Sequence, residues 1–542
     1  MNISRIKPAA YIAAGGRLAG VGFTRLAPAI AAAILIFNSQ TAKAADEIAA
    51  TNSSALRLPA IFGDNMVLQR QQTVLVWGWA APDAKVTVKF SGQTKSTRAA
   101  ADGKWLVKLG KLKASAEPQN LVVESGGTKM FTNILVGEVW LASGQSNMEK
   151  PIGKQPGQKP VFNAEQELAA ANYPDIRIFQ AEKILSAMPL DDLQKFHGWQ
   201  ECSSNTLNSI SFSAAAYFFG REIYTNLNVP VGLIESSWGG TRIEPWTPPV
   251  GFEKVPSLAN IAQTKISTNR ISNTRPTAIY NAMIAPLAGF AMRGAIWYQG
   301  ESNLMGTNAD NDYLEYPDKM KAMVGGWRQI WGEGDFPFYF VQIAPFKYAG
   351  GRTKRAASPE MLPEFWTLQS RAVRQIKNTG MVVTTDLADN LDDIHPRDKQ
   401  DVGHRLALLA RNETYGEKNV VCSGPAFKKM EIEGGKAVLT FDHADGGLAS
   451  KDGQPRISSQ SGGLQVSVLR GQPLTWFTIA GADKKFVSAD AKIAGDTVEV
   501  SAAGIEKPVA VRFAWDETAQ PNLSNKAGLP AEPFSTDDPP GE

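Results

Sequence analysis

Between Gly137 and about residue 415, short apolar runs of strand character alternate with helical stretches. This alternation limits the possible folds more than any other feature of the chain. The strand candidates are Glu138–Ala142, Val231–Glu235, Gly294–Tyr298, Phe338–Ile343 and Met381–Thr385. Between them Ala214–Leu227, Thr277–Phe290, Leu368–Lys377 and Lys399–Asn412 read as helices. Continuous apolar strands joined by helices imply an α/β fold: a parallel sheet covered on both faces. Such sheets bind ligands beyond the carboxyl ends of their strands.

The flanks read differently. Residues 58–135 carry short β-rich runs, Thr73–Trp79, Lys85–Phe90, Lys104–Leu109 and Asn120–Glu124, punctuated by Ala81-Pro82-Asp83-Ala84. Residues 424–528 again hold runs such as Ala437–Phe441 and Val509–Trp515. Both are expected to be small β-sandwich-like domains around a central domain at 136–415. The tail after Pro530 is Pro-rich and acidic and is expected to be irregular.

Charge is unevenly spread. The chain has 56 basic and 53 acidic residues, but residues 1–44 hold Arg5, Lys7, Arg17, Arg25 and Lys43 and no acid. The remainder has 51 basic against 53 acidic residues, too balanced for a nucleic-acid-binding surface read from charge. Leu26–Phe37 is a 12-residue apolar run followed by Ala42-Lys43-Ala44. A basic leader, a short apolar run and a small-x-small site make a cleavable signal peptide over 1–44. The run is too short to span a bilayer, and no later run is long enough. The expectation is a periplasmic or secreted protein with no membrane span in the mature chain. There Cys202 and Cys422 either pair or stand as two buried thiols.

Three strand ends carry chemistry. The first is Ser143-Gly144-Gln145-Ser146-Asn147-Met148, a serine on a strand-to-helix turn with glycine just before it. Such a turn exposes a hydroxyl beside free backbone N–H groups. The second is Asp392-Asp393-Ile394-His395-Pro396. A carboxylate three residues before a histidine can fix its tautomer and leave Nε2 for a nucleophile. The third is Trp297-Tyr298-Gln299-Gly300-Glu301-Ser302-Asn303, whose carboxamides can donate to an oxyanion. After another strand, Ser236-Ser237-Trp238-Gly239-Gly240-Thr241 adds flexible backbone donors. Only four histidines occur, at 197, 395, 404 and 443, and none has a second histidine at metal-ligand spacing. No metal and no cofactor is expected.

Together these blocks resemble the sialate O-acetylesterase family of the SGNH-type hydrolases. Gly144 to Met148 resembles its nucleophile block, Trp297 to Asn303 its central block and Asp392 to Gly403 its histidine block. The resemblance extends through Met66–Arg70, Trp77-Gly78-Trp79 and Asn522–Phe534. It implies a three-layer α/β/α hydrolase core with flanking β elements. It also implies Ser146 as nucleophile, His395 as general base and acid, and Asp392 as orienting acid, with Asp393 adjacent. The oxyanion hole would take the Ser146 N–H, Gly240 with Gly239 close behind, and Gln299 with Asn303 as the alternative. Arg242, two residues past Gly240, either reaches a substrate carboxylate or pairs with Glu244.

The implied activity is removal of O-acetyl groups from a sugar, first of all O-acetylated sialic acid. Acetylated xylan or another plant glycan is the alternative substrate. A carbohydrate-binding protein with an inactive hydrolase core is the alternative of another class. The oligomeric state is left open.

Overall fold

A single long strand ties the N-terminal β region to the central sheet in the computed structural model, which describes residues 56–262, 271–305, 312–349, 358–444, 446–451, 468–469 and 473–537. The expected signal peptide and the last residues of the tail lie outside the described residues. The long strand, β1 (Thr128–Gly144), begins antiparallel to Ser115–Glu124 and ends at the turn before Ser146. The expected boundary at 135/136 therefore falls inside one continuous strand, and from Leu56 the chain forms one compact unit.

The central sheet adds β2 (Asn172–Ala181), β3 (Phe196–Ser203), β4 (Val231–Ser237), β5 (Gly294–Tyr298), β6 (Phe338–Val341) and β7 (Thr379–Val382). Their order is β7-β6-β5-β1-β4-β2-β3. All neighbours are parallel except β2 and β3. Every residue of β4 and β5 is buried, as expected of strands covered on both faces. One face is covered by α2 (Ala214–Leu227) and α6 (Lys399–Leu409), through residues such as Tyr217, Phe218, Val402 and Leu406. These helices approach closely: a Cβ on Gly403 would come within 2.5 Å of Phe218 Cβ. The other face is covered by α4 (Tyr316–Trp331) and α5 (Met361–Gln375), through Met320, Trp327, Phe365 and Trp366.

The five predicted strands all form, and Ala214–Leu227 is helical as expected. Thr277–Phe290 is not an α-helix: Tyr280–Ile284 is a π-turn and Ala285–Leu287 a 3₁₀ turn. Pro286 lacks the N–H an α-helix would use, so the apolar pattern survives while the ladder breaks. The C-terminal β region forms separate antiparallel sheets. Its tail is not irregular throughout. Phe534–Ser535 pairs with Ala510–Phe513, and the Phe534 ring stacks on Phe427 with centroids 4.6 Å apart. Burial of one aromatic ring outweighs the Pro-rich composition around it.

Candidate active site

β1 ends at Gly144, whose φ is +142° and whose Cβ, if present, would lie 2.2 Å from Tyr298 O. Only glycine fits a turn that tight against the neighbouring strand. The Gln145 and Trp238 N–H groups, donating to Tyr298 O (2.9 Å) and Gly144 O (3.0 Å), hold the turn between β5 and the loop after β4. A one-turn helix, α1 (Ser146–Glu149), follows. Ser146 is half-buried, while Gln145, Asn147 and Met148 around it are buried. As the first helical residue its N–H has no intrahelical acceptor. Among the described residues it has no other acceptor either.

The structure brings Ser146 and His395 together across 249 residues of sequence. Ser146 Oγ lies 2.8 Å from His395 Nε2. His395 sits in the loop between β7 and α6. Burial, and then the Lys399 ammonium, push its pKa down to about 4, against the opposing pull of Asp393. It is therefore neutral at physiological pH and able to accept a proton.

Of the two adjacent aspartates, Asp392 pairs with a lysine and Asp393 lies beside the imidazole. Asp392 is exposed, and its carboxylate receives Lys347 Nζ at 3.1 and 3.2 Å. Asp393 Oδ1 instead lies 3.5 Å from His395 Nδ1 and accepts the His395 backbone N–H at 3.0 Å. The loop turns at Asn390, whose C=O accepts from the Asp393 N–H and whose Oδ1 accepts from the Asp392 N–H. That turn aims the second aspartate inward.

The expected oxyanion donors also depart from the sequence reading. Gln299 is fully buried, and its Nε2 donates to Gln145 Oε1, Thr241 O and Asn303 Oδ1. Asn303 Nδ2 donates to Glu244 Oε2, and its Oδ1 also receives the Ile243 N–H. Both amides brace the loop after β4. Gly240 has φ +74° and open space about its α-carbon. Gly239, its neighbour, packs on the nucleophile, and its N–H is taken by Glu149 Oε2 at 2.6 Å. Gln145 Oε1 receives the Gly300 and Ser302 N–H groups as well as Gln299. Its Nε2 donates to none of the described groups.

Arg242 is bound within the protein. Its guanidinium pairs with Asp312 and lies 3.3 Å from Glu244 Oε1, while Lys319 pairs with the same two acids. Burial would raise the Glu244 pKa, but Lys319 and Arg242 hold it below the usual carboxylate range. Cys202 and Cys422 are not joined by a disulfide. Among the described residues no helix is long and apolar enough to cross a membrane, and no acid, His and Cys cluster could hold a metal.

Three buried polar residues escaped the sequence reading: Asn147, Glu301, which opens the one-turn helix α3 (Glu301–Leu304), and Lys399. Each lies inside a quoted block, one per block. The Asn147 Nδ2 donates to Glu301 Oε1 at 2.5 Å and Ile394 O at 3.0 Å, and its Oδ1 accepts from Lys399 Nζ at 2.8 Å.

Residues 136–411 match the family described as carbohydrate esterase, sialic acid-specific acetylesterase. The mouse sialate O-acetylesterase is 32% identical over 443 residues, covering 71% of this chain and 79% of that protein. The human one is also 32% identical, covering 71% and 76%. A carbohydrate acetylesterase from Xanthomonas citri of known structure is 37% identical, with a TM-score of 0.76 over 89% of this chain and 99% of that one.

Proposed function

This chain belongs to the sialic acid-specific acetylesterase family of carbohydrate esterases, and from that premise we propose a serine mechanism for its removal of acetyl groups from sugars. The carrying observation is the 2.8 Å contact between Ser146 Oγ and a neutral His395 Nε2 on the glycine turn at the end of the sheet. Ser146 Oγ attacks the acetyl carbonyl carbon while His395 Nε2 takes the hydroxyl proton. The carbonyl electrons collect on oxygen, facing the Ser146 N–H, the Gly240 N–H and the Gln145 carboxamide. The sugar oxygen leaves with the proton held by His395. Water, deprotonated by the same imidazole, then attacks the acetyl-serine; Ser146 Oγ leaves with that proton from His395, and acetate is released. Asp393 orients the imidazole. The chain's own groups account for every proton in this cycle.

The acetylated sugar is first an O-acetylated sialic acid, as the names of the family and of the mammalian relatives suggest. A neutral acetylated glycan is the second reading. It is favoured by the pairing of Arg242 with Asp312 and Glu244, which removes the expected partner of a sialate carboxylate. The leader over 1–44 supports export of the chain. Acetate release from acetylated sialic acid and acetylated xylan, measured side by side on the wild type and Ser146→Ala, tests all of this. Ser146→Ala activity near wild type would refute the mechanism. Preference for xylan would transfer the substrate to the second reading.

A further inference from the structure

The Ser146–His395 pair is gripped twice. Ser146 Oγ meets the His395 ring, and the next side chain, Asn147, donates to the carbonyl of Ile394, the peptide that carries His395. Asn147 is buried, and both ends of its amide are engaged. On its oxygen sits Lys399 Nζ; on its nitrogen sits Glu301 Oε1. Lys399 and Glu301 are themselves 0% and 1% exposed. The amide dipole thus lies between a buried ammonium and a buried carboxyl group. Its carbonyl points to the cation and its NH₂ to the acid, which excludes the flipped orientation. Flipping would set an ammonium against an NH₂ group and strip Ile394 O of its donor.

We infer that Lys399 is a positioning residue for the reaction: through Asn147, with Glu301 on the far side, it fixes the peptide carrying His395 and places a buried positive charge beside the imidazole. The inference rests on the serine–histidine reading above. A buried lysine is costly to keep, and burial, followed by repulsion from Lys150, lowers its own pKa to about 7. Glu301, Asp398 and Asp393 oppose that shift. The charged groups acting on His395 are Lys399, Asp393 and Lys150. Of the two cations, Lys399 acts more strongly, so its charge favours the neutral, proton-accepting imidazole.

The test compares wild type, Lys399→Met and Asn147→Ala on p-nitrophenyl acetate from pH 4 to 8. Active sites are counted by titration with a serine-directed phosphonate. Lys399→Met should lower kcat per titrated site by about 10-fold or more, leave KM within about twofold, and move the acid limb of kcat/KM upward by at least about half a pH unit. Asn147→Ala should lower kcat per site by a similar factor. A purely structural lysine would reduce the melting temperature and the number of titratable sites while leaving per-site kcat and the acid limb unmoved, and that result overturns the inference. If Lys399→Met does not fold, wild-type kcat per site in Asn147→Ala overturns it instead. Ser146→Ala separates the two failures. Its inactivity beside an unaffected Lys399→Met sinks the positioning role alone, whereas an active Ser146→Ala sinks the serine mechanism beneath it.

Discussion

The N-terminal β region delivers Ser146 along backbone: β1 pairs with Ser115–Glu124 at one end and stops two residues before Ser146 at the other. The C-terminal β region reaches His395 through side chains. Lys451 Nζ bonds Asp386 at 2.6 Å, and Gln520 Nε2 bonds Ala388 O at 2.5 Å, both in the loop that ends at α6. Glu517 carries the adjoining loop, its C=O accepting from the Phe346 N–H and its Oε2 from the Ala349 N–H. A strand is registered by many weak bonds that survive the loss of any one. A loop held by a few side-chain anchors has no such reserve. The nucleophile should therefore tolerate substitution in its flank, and the histidine should not.

The harshest challenge to this contrast removes the delivered groups themselves. Ser146→Ala and His395→Gln should each lower kcat by about four orders of magnitude or more without loss of fold, since members of such a pair act as a unit. A much milder His395→Gln would mean the side-chain route delivers nothing essential. The wild-type pH profile belongs to the same test. The base must be neutral, and burial with Lys399 holds its pKa near 4. Activity should therefore persist as pH drops below 6 and fail only on approach to about 4. An acid limb near 6.5 would place the imidazole in ordinary solvent.

One step down lies the imidazole's orientation. Asp393→Asn should cost about 10²-fold or more in kcat, and Asp392→Asn less than about twofold, because only Asp393 approaches Nδ1. The reverse order would restore the sequence expectation, and equal losses would mean that neither carboxylate alone orients the ring.

The placement of the two aspartates shows where sequence reasoning ran out. The central strands were legible because burial on both faces writes continuous apolar runs, as in Val231–Ser237. Ser146 and His395 were legible because each stands in a dense block at a strand end. Which of two adjacent aspartates faces inward was not, because the Asn390 turn decides it through hydrogen bonds that leave no spacing pattern. Gln299 and Asn303 carry the right chemistry for oxyanion donors, but their partners, Thr241, Ile243 and Glu244, lie about 60 residues away. Lys399 looked like an ordinary helix start. Only the assembled fold buries it against Asn147.

Asp386 sets the two flanks against each other directly. It is buried between Arg405 and Lys451, which hold its carboxyl far below the usual range despite burial. Asp386→Asn should destabilise the fold by about 3–5 kcal/mol by leaving the buried Lys451 unpaired and Arg405 with Asp401 as its remaining acid, and lower kcat more than KM changes. Lys104→Met, which breaks an exposed pair with Asp191 in the N-terminal flank, should change stability by less than about 1 kcal/mol and activity not at all. Matched losses in chemical denaturation and kcat would erase the difference between the flanks.

A smaller effect than at Asp386 is expected at Arg242, which belongs to neither flank and anchors the loop after β4. Its guanidinium shares Asp312 and Glu244 with the buried Lys319, so removing it leaves one cation for two acids. If the pairing is purely structural, Arg242→Met should lower kcat/KM by a similar factor, about two- to fivefold, on acetylated sialic acid and on p-nitrophenyl acetate alike, because the disturbed loop serves both substrates. If the side chain also reaches a sugar carboxylate, KM for the sialic acid should rise alone while turnover of the neutral ester holds. The ion pairs favour the first outcome. A selective rise in KM would mean that substrate draws Arg242 out of them, and the acidic-sugar reading would gain a residue to stand on.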